Sequence, residues 1–136
     1  MKYLLDTNIL SEPGRKNPDP RLLKKLANHK AQCATSAINW HELQYGILRL
    51  PLGQGRTELE LLASSYLDLP ILPYDEDVAF RHAQAKARLE VLGKPMPETD
   101  GQIAAIAEVN GLVLVTRNEA DFRNYPGLLV ENWFTL

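Results

Sequence analysis

Acidic residues stand at four separated places that an α/β chain brings to one edge. Asp6 follows a first apolar run, Glu42 and Asp100 sit early in helical patterns, and Asp121 lies in a turn after the strongest apolar run. Carboxylates gathered within a few ångströms repel one another and need a cation to stay ionised together. Oxygen donors without thiolates or clustered histidines suit Mg²⁺, with Mn²⁺ as a substitute, better than zinc. Two such ions on shared carboxylates would activate a water and stabilise the leaving oxygen of a phosphodiester. Thr7, Asn8, Thr116 and Asn118 are neutral neighbours placed to orient carboxylates or bound water. Each acid also has a plainer explanation. Asn39 with Glu42 and Thr99 with Gln102 have capping-box spacing, Asn118 with Asp121 reads as a cap and first-turn acid, and Asp6 suits a turn. Capping explains each acid singly but gives no reason for four to face one place.

The elements that must position them follow from periodicity. Lys2–Leu5, Cys33–Ala37, Leu69–Pro73, Leu112–Val115 and Leu128–Trp133 read as strands. The third carries two prolines and so belongs at a sheet edge. Helical spacing is predicted over Arg21–His29, from Asn39 to Leu50, over Gln54–Leu67, Asp75–Leu92 and Thr99–Asn110, with a short turn from Asn118. Pro51 with Gly53, Gly93 and Gly111 close three of these helices. A breaker-rich loop is expected between Asp6 and Arg21. Strands alternating with helices predict an α/β fold: a single domain over residues 1–136, with a four- or five-stranded parallel sheet flanked by helices on both sides. Right-handed crossovers gather helix N-termini at the C-terminal edge of such a sheet, where ligands bind.

Composition narrows the classes further. The one cysteine, Cys33, excludes an internal disulfide and a multi-thiolate zinc site. His29, His41 and His82 show no clustering, which disfavours metal-free catalysis by paired histidines. Cys33 lies in an apolar strand, and His82 on the Val78, Ala85, Leu89 stripe of its helix, so both read as packed core groups. Tyr3, Tyr45, Tyr66, Tyr74 and Phe80 mostly fall at core-like spacings and do not look like a base-stacking platform. No membrane span and no signal peptide is evident, so a reduced cytoplasmic setting is expected. Fifteen Lys and Arg against seventeen Asp and Glu give a formal net charge of −2, which leaves no basic footprint for indiscriminate nucleic-acid binding. Setting the four acids aside leaves the rest formally at +2, so a divalent-ion pocket is compatible with an anionic partner.

The ordered motifs resemble the PIN-domain ribonucleases, specifically the VapC- and FitB-type toxins of bacterial toxin–antitoxin pairs. They are Leu5-Asp6-Thr7-Asn8-Ile9-Leu10, His41-Glu42-Leu43-Gln44-Tyr45-Gly46, Asp100-Gly101-Gln102-Ile103-Ala104-Ala105-Ile106-Ala107, Val115-Thr116-Arg117-Asn118-Glu119-Ala120-Asp121-Phe122 and Val130-Glu131-Asn132-Trp133. The resemblance implies a Mg²⁺-dependent endoribonuclease toxin, an RNA substrate, a cognate antitoxin, a homodimer and a larger complex on operator DNA. Asp6, Glu42, Asp100 and Asp121 match the family's acidic quartet, with Asn118 able to share the role of Asp121. Arg15 and Arg117 are the basic residues placed to meet RNA phosphates. Two other readings stay open: a phosphate-handling α/β enzyme with an aspartyl nucleophile, for which Asn8 spoils the Asp-x-Asp pattern, and a non-catalytic PIN-like interaction module.

Overall fold

In a computed structural model, which describes residues 1–135, the chain forms five strands and seven α-helices. Leu136, the last residue of the domain expected over 1–136, lies outside the described residues. The strands are β1 (Tyr3–Leu5), β2 (Cys33–Ser36), β3 (Ile71–Leu72), β4 (Val113–Val115) and β5 (Val130–Glu131). All pair in parallel, in the order β3-β2-β1-β4-β5, with β3 at an edge as its prolines require. The helices are α1 (Thr7–Ser11), α2 (Pro20–His29), α3 (Ala37–Leu48), α4 (Gln54–Ser64), α5 (Glu76–Val91), α6 (Glu98–Val109) and α7 (Glu119–Phe122).

Alternation along the strands divides the core in two. Tyr3 and Leu5 point to one face and pack with Ile9, Leu22, Leu43, Ile47 and Trp133. Leu4 and Leu114 point to the other and pack with Val78, Leu89, Ile103 and Ile106. Helices therefore cover both faces, as a buried parallel sheet demands. The α5 and α6 C-termini close as predicted: Gly93 and Gly111 take φ of +71° and +66°. The amides of Lys94 and Leu112 then reach back to the carbonyls of Leu89 and Ala107.

Several boundaries differ from expectation. The segment after β1 is not a loop at its start: Asp6 accepts from the Thr7 amide and launches α1 directly. α3 begins at Ala37 because the Ser36 hydroxyl accepts from the Asn39 amide, so Asn39 is not a cap and Glu42 lies in the second turn. α6 begins at Glu98 behind Pro97, which removes the Thr99–Gln102 capping box. The last strand spans only Val130–Glu131, the two residues that register with Leu114 and Val115. Among the described residues no helix is long and apolar enough to cross a membrane.

Candidate metal centre

β1 and β4 are adjacent strands whose C-terminal ends deliver Asp6 and Thr116 side by side. Asp6 is buried, and three neutral donors hold its carboxylate. The Thr7 amide (2.8 Å) and Asn39 Nδ2 (2.8 Å) donate to Oδ1, while Thr116 Oγ1 (2.7 Å) donates to Oδ2. A carboxylate offers about four lone-pair sites, so roughly one remains for another partner. Burial pushes the Asp6 pKa up; the Thr116, Thr7 and Asn39 bonds oppose that shift, and the Asp121 charge adds to it.

Asn39 ties the other elements to this point. Its Oδ1 accepts from Ser36 Oγ (2.6 Å), and its Nδ2 donates both to Asp6 and to Thr7 Oγ1 (3.1 Å). Thr7 Oγ1 in turn donates to Glu42 Oε1 (2.8 Å), so one chain of hydrogen bonds links β2, β1 and α3. Asn39 shares the buried stripe of α3 with Leu43 and Ile47. An amide at a core position of an amphipathic helix is the signal in the sequence for this role, and the capping-box spacing of Asn39 with Glu42 masks it. The neutral residues expected to orient the acids divide accordingly. Thr7 and Thr116 bond carboxylates directly. Asn8 accepts from the Arg117 amide (3.3 Å), and the Asn118 amide donates to Thr116 Oγ1 (3.1 Å), so these two brace the loop after β4.

Asp100 and Asp121 come from α6 and α7 and have no such donors among the described residues. Burial, then the charges of Asp121, Asp6 and Glu42, push the Asp100 carboxyl up to about 6. Asp100 thus feels the charges of the other three acids, which the sequence separates by up to 115 positions. The Asp121 charge raises the pKa of both Asp6 and Asp100. Among the described residues, no three His, Cys, Asp or Glu side chains stand close enough together to hold a metal ion as they are placed. The donors are oxygen atoms only, they repel, and Asp6 keeps spare acceptor capacity, a combination that fits a hard divalent cation.

Two clefts lie near these elements, and the second includes one of the acids, Glu42. One, of about 500 Å³, is lined by Asn8, Arg15, Arg117 and Asn118, so both predicted phosphate contacts share it. Arg15 lies 3.8 Å from the buried Glu12, and Arg117 lies over the Phe134 ring at 4.8 Å. The other, of about 460 Å³, is lined by His41, Glu42, Tyr45, Arg49, Thr99 and Gln102. Here the structure corrects the reading of the aromatics: Tyr45 is 58% exposed and Phe80 66%, whereas Tyr3 and Tyr66 are core residues. The remaining side groups behave as expected. His82 is buried and bonded to Tyr74 Oη (2.8 Å), and Cys33 is buried with its thiol pushed up to about 11.

The PIN domain family model matches residues 3–128, a span that holds all four acids. The chain belongs to the PIN domain family. Toxin FitB of Neisseria gonorrhoeae is 38% identical to it over 124 residues, covering 88% of this chain and 89% of that protein. Ribonuclease VapC2 of Rickettsia felis is 32% identical over 136 residues, with 98% of each chain covered. The solved structure of FitAB bound to an IR36 DNA fragment superposes with a TM-score of 0.89 at 34% identity. That match covers 98% of this chain and 96% of the other. The five-stranded parallel PIN architecture and its neighbours thus agree with the fold expected from the motifs.

Proposed function

We propose that this PIN domain is the toxin of a type II toxin–antitoxin pair and acts as a Mg²⁺-dependent endoribonuclease on cytoplasmic RNA. The observation that carries the reading is the convergence of Asp6, Glu42, Asp100 and Asp121 from four separate elements. The relatives named toxin FitB and ribonuclease VapC2 support it. A cognate antitoxin, a homodimer and an assembly on operator DNA are its expected partners, in keeping with the FitAB–DNA complex that the fold resembles.

In this reading Asp6, Asp100 and Asp121 hold the ion, with Glu42 completing the oxygen set. When bound, Mg²⁺ supplies Lewis-acid polarisation of a phosphoryl oxygen and a lower pKa for water at the site. The protein's own contribution is positioning. Thr7, Asn39 and Thr116 fix the Asp6 carboxylate before any ligand arrives, and Thr7 fixes Glu42. Glu42 and Asp121 are the acids placed to orient the attacking water. Arg15 and Arg117, in the first cleft, meet the phosphates of the strand. Hydrolysis by water leaves a 5′-phosphate and a 3′-hydroxyl.

Cleavage of total RNA in Mg²⁺, with end mapping of the products, tests the proposal. Wild type is expected to cut and to stop on addition of EDTA. Asp6→Asn or Asp100→Asn protein that cuts as well as wild type would overturn it.

A further inference from the structure

The second cleft has a wall that the nuclease reading leaves without a role. We infer that His41 and Tyr45 on α3, with Arg49 at its C-cap, form a stacking and phosphate platform for the single-stranded RNA next to the bond that is cut. This rests on the nuclease reading and extends it to how substrate is held. The three residues follow one another at intervals of four and so share a helix face. The core stripe, Asn39, Leu43 and Ile47, lies two positions out of phase and buries the opposite face. The His41 and Tyr45 rings stack 6.1 Å apart at 12°, and the Arg49 guanidinium lies 5.8 Å from the Tyr45 ring centroid. The ring thus lies between an imidazole and a guanidinium and remains 58% exposed.

Chemistry and continuity select the occupant. Among the described residues neither His41 nor Arg49 has a carboxylate partner, so Arg49 is free to take a phosphate. The cleft of about 460 Å³ is lined by Glu42 of the acidic group and by Thr99, the residue before Asp100. That volume falls in the range of small-ligand clefts, roughly 300–1,000 Å³. Aromatic faces flanked by cations are how proteins hold single-stranded RNA without reading its sequence. The Arg15–Arg117 cleft is a second basic region, lined by Asn8 and Asn118 from the segments that follow β1 and β4.

The test measures binding apart from cleavage. An Asp6→Asn background protein in Mg²⁺ is titrated with a dye-labelled single-stranded RNA oligonucleotide and with the same strand carrying 2-aminopurine. Tyr45→Ala is expected to weaken binding about ten-fold and to abolish 2-aminopurine quenching, while Tyr45→Phe retains both. Arg49→Ala is expected to lower the slope of log affinity against log salt by about 0.7. Melting temperature and solution mass should not change. Tyr45→Ala protein that binds as tightly as its parent overturns the inference. So does a Tyr45→Ala change in solution mass, which would make this face an interface between copies. Failure of otherwise wild-type protein to cut RNA contradicts the nuclease reading instead, and the binding arm still decides the platform.

Discussion

The two halves of the acidic group are built differently. Asp6 and Glu42 sit in a closed hydrogen-bond chain through Thr7, Asn39 and Thr116, fixed at the junction of β1, β2 and β4. Asp100 and Asp121 lack such donors among the described residues, and burial together with charge repulsion pushes the Asp100 carboxyl up to about 6. One half is organised by the fold; in the proposed reading the other would be organised by a cation. A site built this way would fix where the ion goes while keeping part of the coordination adaptable to substrate.

Breaking the adaptable half should have the largest effect. Asp100→Asn is expected to lower RNA cleavage by about 10³-fold, read as initial rate in saturating Mg²⁺. The rigid half fails differently. Asn39→Ala leaves Ser36, Thr7 and Asp6 without a shared partner in a buried position. It is expected to cost 10–100-fold in metal affinity or activity, and about 1–3 kcal/mol of stability by thermal or urea unfolding. An Asn39→Ala protein with normal Mn²⁺ affinity would show that the carboxylates need no such frame.

Packing behind Asp100 sharpens the same contrast. A Cβ at Gly101 would lie 2.6 Å from His82 Nε2, inside the α5–α6 contact. His82 is itself buried and held by Tyr74, so it has little room to give. Gly101→Ala is expected to destabilise the protein by about 1–3 kcal/mol and to displace Asp100, with the Asp6 network intact. The smallest effect is one of sign. The folded-state pKa of Asp100 is raised to about 6 from 3.8. Its protonated form is therefore favoured by folding, a stabilisation present below pH 3.8 and lost as pH rises through about 6. Metal-free Asp100→Asn protein lacks that loss. At pH 7.5 it should be more stable than wild type by about 1 kcal/mol, after discounting for partial exposure, or roughly 3 °C in Tm. Mg²⁺ should reverse the order by stabilising wild type alone.

Much of this was legible in the residues. The Leu112–Val115 run, the glycine-closed α5 and α6, and the four acids all follow from periodicity and from the edge where parallel sheets bind ligands. Asn39 and Tyr45 did not, for one shared reason. Apolar spacing along α3 becomes visible only at Trp40, which predicts a start at Asn39 and a cap where the structure has a core position. With the start at Ala37, residues 39, 43 and 47 become the buried stripe and 41, 45 and 49 the exposed one. The Ser36 cap that sets this phase is a local hydrogen bond, and such bonds leave weaker traces in a sequence than hydrophobic periods do.

Calorimetric titration of Mn²⁺ into the full-length protein and its Asp100→Asn variant tests the central claim most directly. Wild type is expected to bind one or two ions at the carboxylates, with the heat lost in the variant. Equal heats from the two proteins, or none from wild type, would contradict a divalent-metal centre at this sheet edge.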